Sequence, residues 1–373
     1  MADRVTRVEH AGVFQTLMES FKRVGVGVGM FFIAFPLMFW NECSSVSTAK
    51  SLEEGLGAVV SVEAAAIDAG NEGALVHLSG STQTSETLTD SDFGVSAPAL
   101  RLLREVEMYQ WKQSSSTKEE GSTKTTTYSY AMAWADDIID SQRFEEPVGH
   151  SNPGSMPYED RALTAQTVTV GAFTLRDNQV SSLSASEKLT PQITSHPVHD
   201  GYIYLGGNPS SPSVGDVRIS YLVLRPGPVS VIAQQRGTSF SPFETRAGKS
   251  IAMIEAGNRS APEMFASAQA SNTTGTWIMR VVAFFFVFVG MNLVLGPLRT
   301  MSGYVPLLGR VFSAGLTLVT FFLASALTLV TISMAWIVAR PLLGIFLLLV
   351  GGGAFVGAAA LIIVAARKAE ATA

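Results

Sequence analysis

Hydropathy divides this chain before any motif is read. Residues 24–40 are almost wholly apolar, residues 277–366 are apolar with few interruptions, and the long stretch 41–276 between them is mostly polar. A bilayer core roughly 30 Å thick needs about 20 apolar residues as helix. Lipid also requires every backbone hydrogen bond to be closed internally. The pattern therefore predicts an α-helical membrane protein with spans at 24–40, 277–298, 311–338 and 342–366. Trp40, Trp277 and Trp336 stand near span ends, where tryptophan anchors a helix at the interface. Ahead of the first span, Phe14, Leu17, Met18 and Phe21 recur at helical spacing among Gln15, Glu19, Lys22 and Arg23. An amphipathic interfacial helix and a simple extension of the first span both fit that spacing.

The polar stretch reads as β-rich. In "KTTTYSYAMAW" the large residues Tyr128, Tyr130, Met132 and Trp134 alternate with small ones, a period of two. "EVEMYQW" lies upstream, and the polar "SSSTKEEGSTK" joins the two runs, so an antiparallel hairpin with a long loop is expected. "TVTVGAFTL", "GYIYLGG", "VRISYLVL" and "VSVIAQQ" are further strand candidates. Two helices are expected to tie this block to the membrane. One is "TAKSLEEGLGAVV" after the first span; the other opens at Ser260-Ala261-Pro262-Glu263, a capping box with proline in the first turn. The fold class expected is a four-span bundle with a large β-rich α+β lumenal domain inserted between spans one and two.

Charge gives the orientation. Residues 41–276 hold 27 acidic and 16 basic residues, a net of −11, while the remainder is +6. Arg4, Arg7, Lys22, Arg23, Arg299, Arg310, Arg367 and Lys368 fall on one side if both termini are cytosolic. The positive-inside rule then makes residues 1–23, the loop 299–310 and the tail 367–373 cytosolic or nucleoplasmic, and makes 41–276 and the hairpin 339–341 lumenal. Arg280 and Arg340 are the near-membrane exceptions. A nucleic-acid binder would need basic stripes on the soluble part, and the acidic block argues against one. The first span is not expected to be a cleaved signal, because the nearest small-x-small site is Ser45-Val46-Ser47 and a basic flank precedes the span. Cys43 is the only cysteine, so no intramolecular disulfide forms; beside a span it is a palmitoylation candidate or a plain loop residue.

Chemistry-bearing motifs are sparse. His196, His199 and Asp200 form the best metal candidate, but a third protein ligand and a helical frame are missing, and ordinary loop histidines are the better reading. Asp136, Asp137, Asp140, Glu145 and Glu146 read as a solvated acidic face rather than a calcium site. No Walker loop, HExxH, GxSxG or dinucleotide fingerprint occurs; no enzyme activity, cofactor or metal is expected. Gly25 and Gly29, like Gly353 and Gly357, match the small-xxx-small pattern of packed membrane helices. Asn292 is the one strongly polar group deep in a span, a functional candidate by default. Thr317, Thr320, Ala324, Thr328, Thr331 and Ala335 make a weakly polar stripe along span three. It suits close packing better than a water pathway. Asn258 and Asn272 sit in glycosylation sequons, and Trp40, Asn41 and Glu42 form the expected collar where the lumenal domain meets the bilayer.

With these residues on the page, the chain resembles the LUMA family of four-span proteins of the endoplasmic reticulum and inner nuclear membrane. The matching stretches are "FWNE" (39–42), "TAKSLEEGL" (48–56), "NEGALVHLSG" (71–80), "FGVSAPALRLLREVEMYQW" (93–111) and "YSYAMAW" (128–134). "GHSNPGSM" (149–156), "VGDVRIS" (214–220), "VIAQQRG" (231–237), "GMNL" (290–293) and "SALTLVT" with "ARPL" (325–342) follow in the same order. The resemblance implies a non-enzymatic, self-associating membrane scaffold that organises the nuclear envelope through emerin-like proteins and lamins. Relatives in bacteria would place the corresponding protein in the cell membrane. An ion channel or channel-associated subunit, with a pathway lined by span three, is the alternative expectation.

Overall fold

The computed structural model describes residues 3–10, 13–120, 123–302, 308–339, 341–342, 344–353, 356–357 and 360. A strand, β1 (Asp3–His10), precedes a single helix, α1 (Val13–Ala58). The apolar run and "TAKSLEEGLGA" are thus one helix. Nothing breaks it at Trp40, because Asn41 through Lys50 contain no proline or glycine, and helix propagation adds a bond per residue once nucleated. Two more long helices follow the β region, α2 (Ala261–Val294) and α3 (Leu308–Ala339). Among the described residues three helices, at Met18–Ala58, Ala261–Val294 and Ser313–Ile337, are long and apolar enough to cross a bilayer, and Gly344–Gly353 is a shorter apolar helix. The expected fourth span, 342–366, lies in part outside the described residues.

Glycine sets the approach of α1 to α2, although not the glycines the spacing suggested. A Cβ on Gly27 would lie 2.7 Å from the Gly290 carbonyl oxygen, and one on Gly290 would lie 2.8 Å from that of Gly27. The two backbones touch there, an approach that only glycine permits. Gly25 and Gly29 meet none of the described residues within 4 Å, and the same holds for Gly353 and Gly357. In the C-terminal segment Gly344 and Gly351 are the ones packed, against Ile337 and Leu329 respectively.

The β region is a sandwich of two sheets. One sheet has the order β1, β4 (Thr123–Ala135), β3 (Arg101–Glu120), β5 (Val217–Leu224), then Tyr202–Leu205 and Val198–His199. The other centres on β2 (Leu75–Gln83) paired with β6 (Pro228–Arg236). Val217, Ile219, Tyr221 and Val223 of β5 are buried while their neighbours are not, the alternation of a half-buried strand. They pack with Val106 and Met108 of one sheet and Leu78, Val170, Val231 and Phe240 of the other.

Two features of this sheet depart from expectation. The hairpin has no long loop: β3 and β4 pair out to Glu120 and Thr123. The Thr-rich run 123–127 is β-branched and therefore favours strand despite its polarity. Secondly, residues 3–10 are not apart from the block. They pair with β4 from Asp3↔Tyr130 to His10↔Thr123, and Arg7 bonds Glu145. The helical pattern over 14–21 is an extension of the first span, since α1 begins at Val13.

A second core joins block to helices. Leu52 of α1, Ala261, Met264 and Phe265 of α2, and Leu75, Ile232 and Ile251 of the β region are buried together. A Cβ on Gly55 would meet Ile251 at 2.3 Å, so α1 lies hard against the sandwich. The block therefore stands on a two-helix post rather than on a flexible tether.

Candidate functional site

The post carries its polar groups in one place, just beyond the exposed Trp40. Glu42 is only 1% exposed. Its two carboxylate oxygens accept from Nε and Nη2 of Arg280 at 2.6 and 2.8 Å, a bidentate pairing. The indole Nε1 of Trp336, on α3, donates to Oε2 at 2.6 Å. The Arg280 guanidinium also lies over the Trp277 ring, 4.7 Å from its centroid, and 5.7 Å from that of Trp336. Three helices are thus locked through one carboxylate. Asn41 is buried beside it, with its amide reaching the Thr276 carbonyl at 3.5 Å.

Asn41 and Glu42, expected as part of the collar between the lumenal domain and the bilayer, are both enclosed by α1, α2 and α3. The reason is charge. An unpaired carboxylate or guanidinium this near the membrane costs several kcal/mol, and the pair satisfies both. The signal was present in the chain, because Arg280 broke the positive-inside pattern and an acidic partner at the same height resolves it. Trp40, by contrast, is 65% exposed.

Above the pair, the helices zip through further polar contacts. Asn272 donates to the Ser45 carbonyl at 3.0 Å, and Thr276 Oγ1 to Ser45 Oγ at 2.7 Å. Asn272 is therefore a helix-packing residue here, whereas Asn258 is exposed. A cavity of about 430 Å³ opens beside these contacts, lined by residues of all three helices.

The intramembrane polar residues form a second cluster at the other end of the post. Asn292 Nδ2 donates to the Phe288 carbonyl at 2.6 Å, and its oxygen accepts from Arg299 and, at 3.4 Å, from Thr320. Arg299 also reaches Thr317 Oγ1 at 3.1 Å. Thr320, Ala324, Thr328, Thr331 and Ala335 are buried, with Ala324 against Ala34 and Val287 of the other two helices. The stripe thus packs the bundle within one chain.

In the block, one buried cluster was missed from sequence. Asp90, 1% exposed, accepts from Arg104 Nη1 at 2.9 Å and from the Tyr221 hydroxyl at 2.7 Å, with Arg161 3.5 Å away. Burial, then the bond to Asp90, pushes the Tyr221 phenol far up, so it stays a donor. The bond from Arg104 holds the exposed Asp92 carboxyl below its ordinary value. Isolated Asp and Arg residues spread over three strands carry no spacing signal. His196 lies against the Phe93 ring and Ser195, and His199 against Asp200. Among the described residues no group of three or more metal-ligating side chains gathers.

The family model for Transmembrane protein 43 matches residues 108–341. The chain is 35% identical to Transmembrane protein 43 of Mus musculus over 91% of this chain and 90% of that protein. It is 35% identical to the Homo sapiens protein over 94% of each. A Drosophila melanogaster homolog is 29% identical over 93% of this chain and 96% of its own length. No solved structure matches. Read with the resemblance of "KSLEEGL" and "VEMYQW", these matches show that the chain is a membrane protein of the Transmembrane protein 43 (LUMA) family.

Proposed function

We propose that this protein is a non-enzymatic, self-associating membrane scaffold, with the β sandwich as its binding module and α1 as the helix through which copies meet. The observation that supports it is the free small-xxx-small face of α1. Gly27 is used within the chain, while Gly25 and Gly29 meet no atom of the described residues within 4 Å, which offers that face of α1 to a helix of another copy. The rigid post suits a scaffold, because it fixes the height and tilt of the sandwich over the membrane. The endoplasmic reticulum and inner nuclear membrane, with emerin-like proteins and lamins as partners, remain the proposed setting.

The two glycine sets give a contrast that tests this. Gly29→Leu is expected to shift the protein in mild detergent from oligomer to monomer, with its unfolding midpoint unchanged. Gly27→Leu is expected to leave a misfolded or strongly destabilised chain, since overpacking a tight contact costs about 1–3 kcal/mol and more where backbone must move. Size-exclusion chromatography with light scattering reads the first and thermal unfolding the second. An unchanged mass for Gly29→Leu would sink the proposed interface.

Ion conduction is the second reading, and a different observation favours it. Thr123 at the hairpin tip pairs with His10, and only two residues separate β1 from α1, so Thr123 lies within about 16 Å of the start of α1. That start is at the far end of the post, where Ser20 meets Thr300. A ribbon of Ser, Thr, Lys and Glu reaching that depth is tolerated only inside protein or beside water. With Cys43→Ser as background, Thr117→Cys is expected to react with an impermeant maleimide from the block side under the scaffold reading. Reaction from the opposite side only would favour conduction through a ribbon-lined path.

A further inference from the structure

We propose that the cavity between α1, α2 and the end of α3 binds the headgroup of a zwitterionic glycerophospholipid. Its position is the first argument. Trp277 and Trp336 line its lower part, and tryptophans at span ends mark the level of lipid headgroups. Trp277 is 58% exposed, so the cavity adjoins the lipid-facing surface of the bundle. At about 430 Å³ it is within the range of small-molecule sites.

Charge and donors are the second argument. Three charged residues line the cavity, Lys50, Glu53 and Arg280, and the buried Glu42 stands behind Arg280. Glu42 and Arg280 neutralise each other. Lys50 and Glu53, three residues apart on one face of α1, both line the cavity and are exposed. Among the described residues neither makes an ion pair or side-chain hydrogen bond with the protein. Arg280 spends Nε and Nη2 on Glu42, and its Nη1 makes no hydrogen bond among the described residues. The site thus offers two cationic donors and one anionic acceptor at no net charge. A phosphodiester takes the Lys50 ammonium and Arg280 Nη1, and an amine one headgroup-length away takes the Glu53 carboxylate. Lipids with an added carboxylate, such as phosphatidylserine, are disfavoured by Glu53.

Native mass spectrometry of the full-length protein, stripped of lipid in detergent, tests this with four probes. These are dioctanoyl phosphatidylcholine, phosphatidylethanolamine and phosphatidylserine, and inorganic phosphate. One zwitterionic lipid per chain is expected, with at least tenfold weaker retention of phosphatidylserine. Lys50→Glu and Thr273→Trp, both at exposed positions lining the cavity, should each lower zwitterionic retention tenfold or more, by charge and by filling. Glu53→Lys should reverse the preference towards phosphatidylserine. Displacement by inorganic phosphate would show a free-anion site and overturn the lipid assignment. Wild-type preference for phosphatidylserine, or retention unchanged in both Lys50→Glu and Thr273→Trp, would overturn it as well.

Discussion

Glu42→Ala is expected to destabilise the protein by about 3–5 kcal/mol, because it strands the Arg280 guanidinium, 13% exposed, without its counter-charge. Arg280→Met should cost a similar amount from the other side, leaving Glu42 buried with only the Trp336 indole as donor. The double change Glu42→Leu with Arg280→Met should recover most of the loss. A buried pair replaced by apolar groups of similar size is often neutral, since the desolvation of both ions is no longer paid. Guanidinium unfolding of the four proteins in one detergent gives the double-mutant cycle. Additive single effects would show that the two side chains act independently and that the collar is not a three-helix lock. A further consequence concerns α3. Trp336→Phe keeps the ring over Arg280 but removes the indole donor, so it should cost about 1.5–3 kcal/mol, the worth of a hydrogen bond to a charged acceptor.

Asp90→Ala carries the second large effect, and it acts in the block. Asp90 is the common acceptor of Arg104 and Tyr221, so its loss leaves Arg104, 6% exposed, with only the half-exposed Asp92 as its charge partner. The expected cost is again about 3–5 kcal/mol. Tyr221→Phe removes one bond and should cost less, about 1.5–3 kcal/mol. Trp111 and Trp134 lie in the block, so denaturant unfolding followed by tryptophan fluorescence reads both. If Tyr221→Phe costs as much as Asp90→Ala, the cluster is held by the phenol and not by the carboxylate. The neighbouring Asp92 gives the pH dependence its sign. Its folded carboxyl is depressed, so its contribution is present above about pH 3.9, the ordinary aspartate value, and is lost as pH falls through the lowered folded value.

Much of the plan was legible because it rests on short-range pattern. Long apolar runs give helices long enough to cross a bilayer, and the period of two in "VRISYLVL" gives a half-buried strand, found as Val217–Leu224. The Ser260–Glu263 capping box opens α2 with the Ser260 N–H donating to Glu263 at 2.8 Å. The hairpin is longer than its polarity suggests, because polar Ser and Thr favour loop by composition while β-branched threonines pair well in a strand, as they do from Thr123 onward.

What the chain alone determined, then, is composition by segment: where apolar helix must lie, where strands alternate, and that an acidic sandwich is set between basic membrane ends. Partnership was decided only in three dimensions. Gly27 and not Gly29 meets Gly290, because the crossing point of two helices depends on the whole post and not on spacing within one of them. Glu42 is buried and not solvated, because its partners come from residues 280 and 336, far along the chain. Asp90 is matched to Arg104 and Tyr221 by sheet register. Helix and strand follow from neighbours in sequence. A buried charge is tolerated only through neighbours in space, and those are fixed when the sandwich closes and the helices pack.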